Sequence, residues 1–266
     1  MINMIRADLY RITRGKVVFV TLAVAIVASI ALITIWASVG PGTGEPFNLN
    51  GVNVMVPTTT VNGADSIGLL MQIPHFLLTI LMLPLTFCVA VPIFAEKTAK
   101  NDIAFGMSRI KLYISKLGGM VILITLMYLL YIGVGTLLAT ILGGFGTVAT
   151  GFWTSLLQAM GMQLFILIAL GCLTTFLALA IKKPFVLAEL YFVFIFVPAI
   201  ITAFAAIAGY DISWLLRFDL MANIHVAGSL LITDAHNLLN VLGVGVAWMA
   251  LTSIAGIAMF QKAEIK

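Results

Sequence analysis

Six apolar runs, each about as long as a bilayer is thick, constrain this chain more than any other feature. They are Val17–Val39, Ile67–Ala95, Leu117–Leu142, Phe152–Ile181, Phe185–Ala208 and Leu238–Phe260. A helix needs about 20 apolar residues to cross a hydrocarbon core about 30 Å thick. In lipid every backbone polar group must find its partner internally, and a helix does this within one segment. The expected fold is therefore all-α, with six transmembrane helices. Only 9% of the 266 residues are charged and 62% are hydrophobic. A soluble surface typically carries about 25% charged residues. The runs recur from end to end, so residues 1–266 read as one transmembrane domain. The second run holds Pro74, Pro84 and Pro92. Proline removes a backbone donor and clashes with the preceding turn, so this span is expected to kink or to start at the outer surface. Lys182, Lys183 and Pro184 make a tight turn between the fourth and fifth runs.

Charge sets the expected orientation. All but one of the 14 Lys and Arg residues fall before the first run, after the second, after the fourth or after the sixth. With six spans these segments share one side, and the exception, Arg217, lies on the other. Basic loops stay in the cytoplasm, so both termini are expected there. The first run is too long for the 7–15-residue apolar core of a signal peptide and reads as a retained span. Cys88 and Cys172 sit inside apolar runs and read as buried thiols. On the outer side, Gly40–Ser66 is rich in Gly, Pro, Asn and Thr and reads as an extended loop. Gly209–Asn237 is too short and too polar to span. It reads as one or two short outer helices anchored by Tyr210 and Trp214.

Two inner segments are amphipathic. Ile2, Ile5, Leu9 and Ile12 share one helical stripe, with Arg6, Arg11 and Arg14 largely elsewhere. Such a helix lies along the inner membrane surface with its arginines near anionic lipid, or it is simply a basic tail that sets topology. In Glu96–Lys116, Asn101 and Asp102 can cap a helix start, and Ile103, Met107, Ile110, Ile114 and Leu117 repeat at helical spacing. Arg109, Lys111, Ser115 and Lys116 occupy other positions, and Gly106 moves the start of the continuous part towards Ser108. This helix either docks on a partner protein or is a solvated loop helix.

Two stretches carry a family resemblance. One is Met4-Ile5-Arg6-Ala7-Asp8-Leu9-Tyr10-Arg11-Ile12. The other is Glu96-Lys97-Thr98-Ala99-Lys100-Asn101-Asp102, followed by Gly106-Met107-Ser108-Arg109 and Ile110-Lys111-Leu112-Tyr113-Ile114-Ser115-Lys116. They resemble the permease subunits of type-2 ATP-binding cassette (ABC) exporters, and the small six-span bacterial permeases for lantibiotics and bacitracin in particular. The family often has Gly-Thr where this chain has Asp102-Ile103. The resemblance implies that the segment around Gly106–Lys116, with Gly106, Ser108, Arg109, Lys111 and Lys116, is a coupling helix seated on a separate ATPase subunit, and that Glu96 lies at the cytoplasmic mouth and helps fix that helix. It implies that the N-terminal helix, with Ile5, Arg6, Leu9 and Arg11, also touches that ATPase. It implies short re-entrant outer helices between spans five and six, and a pair of permeases, identical or different, in the bacterial cell membrane. The chain has no Gly-x-x-x-x-Gly-Lys-Ser/Thr loop, so ATP and magnesium would be bound by the partner and the chain itself is not expected to be an enzyme.

Single residues add less. Glu189 is the one acidic residue inside a run; it lines a pathway or gate, or it snorkels and pairs with Lys182 or Lys183. His75 reads as an ordinary interfacial histidine. His225, Asp234 and His236 match no tight metal-ligand spacing, so no metal site is expected. Gly135, Ala139 and Gly143 recur every four residues, as do Gly243 and Ala247. They allow close helix approach, either between two permeases or within one. A channel or transporter working without ATP is the rival reading. It usually carries midplane charges or a repeated half, and neither is evident here. The expected cargo is an antimicrobial peptide or a similar amphipathic molecule, with lipid, polysaccharide or drug export as alternatives. Nucleic acid is not expected as a partner.

Overall fold

The structure is a computed structural model that describes residues 2–39, 46–49, 52–55, 61–72, 75–90, 108–148, 150–181, 183–210, 212–229 and 235–262. The chain is a mostly helical, multi-pass membrane protein. Its elements are α1 (Ile2–Arg14), α2 (Lys16–Val39), β1 (Pro46–Leu49), β2 (Val52–Met55), α3 (Gly63–Gln72), α4 (His75–Val89), α5 (Arg109–Gly143), α6 (Phe152–Ile181), α7 (Pro184–Ala208), α8 (Ser213–Leu216), α9 (Leu220–Gly228) and α10 (Ala235–Lys262). Five of them, α2, α5, α6, α7 and α10, are each long and apolar enough to cross a membrane, and α3 with α4 forms a bent pair that makes a sixth if it counts as one span.

The expected boundaries shift in three places. The second span is divided into α3 and α4, inclined by 65°, and its helix begins at Gly63 rather than Ile67. Pro74 and residues 91–95 lie outside the described residues. Pro84 is inside α4. The third span starts eight residues before Leu117. Ser108 caps it, its extended backbone leaving the side-chain oxygen free to accept from the Lys111 N–H. Residues 109–116 are therefore the first two turns of the spanning helix. Asn101, Asp102 and Gly106 lie outside the described residues. Between α2 and α3, β1 and β2 pair antiparallel from Pro46↔Met55 to Leu49↔Val52, a small departure from all-α.

Local chemistry explains the ends. Gly15 separates α1 from α2, its N–H bonding the Ile12 carbonyl at 2.9 Å. Gly144 ends α5 at φ +73°, a conformation that costs a residue with a Cβ, and returns its N–H to Thr140. Pro184 starts α7, where its missing N–H has no helical partner to lose.

The packing is graded. Of the five single spanning helices, α6 is the most enclosed by the rest of the protein and α7 the least. Helix α6 is thus the axis, touched by α4, α5, α7, α9 and α10, while α2 covers α4 and α5. The exposed large residues of α7, Phe185, Leu190, Val193, Ile200 and Phe204 among them, form a face suited to lipid. The Gly135–Ala139–Gly143 stripe turns inward. A Cβ at Gly135 would lie 2.6 Å from the Leu70 side chain, and one at Gly143 would run into the Val61 carbonyl. Backbone bonds from Gly63 to the Gly144 carbonyl and from Ala64 to the Phe145 carbonyl, both 2.9 Å, complete this seam. The stripe therefore packs α3 on α5 within one chain. Gly243 meets nothing within 4 Å, and Ala247 is exposed.

Candidate functional site

The N-terminal end of α5 is tied on one side to α1 and on the other to α10. Lys116 is fully buried, and its Nζ donates to Asp8 Oδ1 at 2.5 Å. Ser115 Oγ donates to Asp8 Oδ2 at 2.8 Å, and Arg11 donates to Asp8 Oδ1 at 3.0 Å. One carboxylate thus joins α1 to α5 across more than a hundred residues of sequence. A buried ammonium is costly unless paired and hydrogen-bonded, and Asp8 meets that demand. On the far side, Arg109 Nη1 donates to the Gln261 carbonyl at 2.5 Å. The Tyr113 ring packs so closely on Gly256 that any Cβ there would collide with it. Cations at a helix C-terminus are favoured by the dipole and by the unpaired carbonyls there.

This arrangement reverses the expected faces of the segment. Ile110 and Lys111 are exposed and Ile114 is half-buried, whereas Leu112, Tyr113, Ser115 and Lys116 are buried. The supposed charged edge at Ser115–Lys116 points into the protein because Asp8 waits there. Of the residues assigned to partner coupling, Ser108 and Lys111 are exposed, Arg109 is half-buried against α10, and Lys116 is enclosed. Glu96 and Gly106 lie outside the described residues.

Helix α1 is likewise turned. Ile12 is buried and Leu9 half-buried against the protein, with Asp8 on the same side. Arg11 is drawn to Asp8, while Arg6 is exposed. Ile5 is helical, and its side chain lies outside the description. Within this stripe Ile12 is thus turned to α5, beside Gly119.

A second polar centre lies towards the other end of α6. Gln163 is fully buried; its Nε2 donates to the Met71 carbonyl at 2.8 Å and the Ile224 carbonyl at 3.3 Å, and its Oε1 accepts from the Tyr128 hydroxyl at 2.8 Å. One amide therefore joins α3, α5, α6 and α9. Gly228 permits the approach, since a Cβ there would lie 2.6 Å from both Gln163 Nε2 and the Met71 carbonyl oxygen. The α8–α9 turn is held by α10. Asn240 donates to the Arg217 carbonyl and to Asn223 Oδ1, each at 3.2 Å, and Trp248 Nε1 donates to the Phe218 carbonyl at 3.2 Å. Trp248 lies thirteen residues into α10, about 20 Å along it. Asp219 caps α9 by accepting from Met221 and Ala222. Burial raises its pKa, and those two backbone bonds oppose the rise. Burial lowers that of His225, opposed by a hydrogen bond to the Gln72 backbone. Tyr210 and Trp214 are exposed, as anchors would be. Two further links cross between helices: Tyr191 to the Thr79 carbonyl at 2.6 Å, and Thr86 to Thr174 at 3.0 Å.

Glu189 is exposed on α7 beside Phe185, and among the described residues it makes no ion pair. Lys182, one suggested partner, lies outside them. No group of three metal-ligating side chains occurs among the described residues. Sequence reasoning passed over Asp8, Gln163 and Asn223. The available signal was a polar residue within an otherwise apolar face, which in a bundle turns inward to bond across helices. No protein-family model matches the chain, and no curated protein matches it significantly.

Proposed function

We propose that the chain is the permease subunit of an ABC exporter in the bacterial cell membrane, driven by a separate ATPase subunit that binds ATP and magnesium. The observation that carries this reading is the inner end of α5. It exposes Ser108, Ile110 and Lys111 outward while its opposite side grips α1 through Asp8 and α10 through Gln261. A push delivered to that end reaches both terminal helices at once, which suits an element that receives work from a partner. The resemblance of Glu96–Lys116 and of the N-terminal stretch to type-2 exporter permeases supports the same role. In this reading both termini are cytoplasmic, the α8–α9 unit re-enters from the outer side to cap the exit, and two permeases frame one pathway. The open Gly243–Ala247 face of α10 is available for that pairing, whereas Glu189 lies on the α7 face suited to lipid and takes no part in the pathway. The cargo is an antimicrobial peptide or a comparable amphipathic molecule.

The test is co-purification of the tagged chain with its ATPase in detergent, comparing wild type, Lys111→Glu and Lys183→Glu. Both lysines are exposed, so neither change leaves a buried charge unpaired. Loss of the ATPase from Lys111→Glu alone is expected. Absence of any ATPase from the wild-type preparation overturns the assignment. Arg109→Glu is a poor probe, because it breaks the bond to Gln261 inside the chain.

A further inference from the structure

The rotation of α1 that brings Asp8 to Lys116 leaves a second stripe facing away from the protein. Arg6, Tyr10 and Arg14 follow one another at four-residue spacing and are all exposed, Tyr10 by 60%. The stripe runs about 12 Å along the helix. Arg14 donates to the Tyr10 hydroxyl, and its guanidinium carbon lies 4.6 Å from the centre of that ring. This contact holds the guanidinium over the aromatic face, and a guanidinium has five N–H donors, more than this one bond uses. Asp8, the acid within α1, is turned inward and answered by Lys116, Ser115 and Arg11, so it does not offset the stripe. Exposed Lys16 follows directly at the start of α2, a helix apolar enough to cross the membrane.

We propose that Arg6, Tyr10, Arg14 and Lys16 form a binding stripe for the phosphate of anionic lipid headgroups. Continuity with α2 fixes the depth of its nearer end: only Gly15 separates Arg14 from the first residue of that helix, so Arg14 and Lys16 meet the bilayer at its headgroup layer. Charge fixes the lipid class. Arginine takes a phosphate through two parallel N–H bonds, and a zwitterionic lipid lacks the net negative charge that draws a basic helix. Tyrosine, with an apolar body and a polar tip, suits the same layer. Because Ile12 is turned to the protein, the contact with headgroups falls to the charged stripe. Arg11 takes no part. This inference does not depend on the exporter reading.

The experiment titrates the delipidated full chain in detergent with short-chain phosphatidylglycerol or phosphatidylcholine and follows binding by thermal shift. It compares wild type, Arg6→Ala plus Arg14→Ala, Arg6→Ala alone, and Lys183→Ala. Wild type is expected to prefer phosphatidylglycerol. Each arginine near an anionic surface is worth roughly fivefold in affinity, so the double variant should weaken phosphatidylglycerol binding about 25-fold and Arg6→Ala about fivefold. Lys183→Ala should leave it unchanged. Equal binding of the two lipids by wild type, unchanged binding by the arginine variants, or displacement by inorganic phosphate at equal concentration overturns the proposal. If the double variant elutes as an aggregate, the single Arg6→Ala variant decides.

Discussion

Truncating Asp8 should be among the more damaging single changes this chain can suffer. Lys116 has no exposed surface and Asp8 retains only 14% of its side-chain exposure. Asp8→Ala removes the carboxylate that pairs with the buried Lys116 ammonium and takes the acceptor from Ser115. Breaking a buried pair from one side costs about 3–5 kcal/mol. The Arg11 contact, 37% exposed on the arginine side, adds about 0–1 kcal/mol. A chain of about this size loses about 2–4 °C of Tm per kcal/mol, so a fall of about 10 °C is expected. The assay is thermal unfolding of the purified full chain in one detergent, for Asp8→Ala, Lys116→Met and the double variant. Replacing both partners by apolar groups removes the buried charge as well, so the double variant should recover most of the loss. The coupling energy from that cycle should exceed about 2 kcal/mol. A loss below about 1 kcal/mol for Asp8→Ala, or a double variant equal to the sum of its parts, would falsify the picture of a buried latch. It would mean that α1 rests on α5 through Ile12 and Leu9 alone.

Other outcomes follow from the same geometry. Gln163→Leu strands the Met71 carbonyl and the Tyr128 hydroxyl, and should cost about 2–4 kcal/mol in the same unfolding assay, since each buried unpaired group is worth about 1–3 kcal/mol; a change under 0.5 kcal/mol shows that the amide is not the hub. Gly228→Ala should lose about 1–3 kcal/mol by overpacking against the Met71 carbonyl, whereas Gly243→Ala, with open space around it, should be neutral in the monomer. For pH, burial holds the folded-state pKa of His225 below its ordinary 6.5. Its contribution to stability is complete above that value and declines as pH falls below it, because the unfolded chain then binds the extra proton. The Tm of wild type should therefore drop more steeply than that of His225→Asn between about pH 6.5 and pH 5, and parallel curves refute the assignment.

The sequence by itself determined the class of protein and much of its layout. Apolar runs of bilayer length leave few alternatives, because unpaired backbone groups are too costly in lipid. The helices matching runs one, three, four, five and six appear near their expected places, and two short helices appear between runs five and six, where the polar interruptions predicted them. A start near Ser108 was readable because Gly106 disfavours helix before it, whereas the capping role of the Ser108 hydroxyl, which the sequence reading gave to Asn101 and Asp102, came from the structure. What only the tertiary structure decided were the directions of faces. Periodicity shows that Ile110, Ile114 and Leu117 share a side of α5, but in a membrane an apolar side can meet lipid and a polar side can meet protein. The choice belonged to Asp8, more than a hundred residues away, which draws Ser115 and Lys116 inward and turns α1 with them. The same holds for Gly135, Ala139 and Gly143, whose spacing announces a close approach without naming the partner; α3 supplies it. Gln163 was invisible for a like reason. Its meaning lies in carbonyls of Met71 and Ile224, which any sequence has at those positions and which only the bent α3–α4 pair and α9 bring within reach.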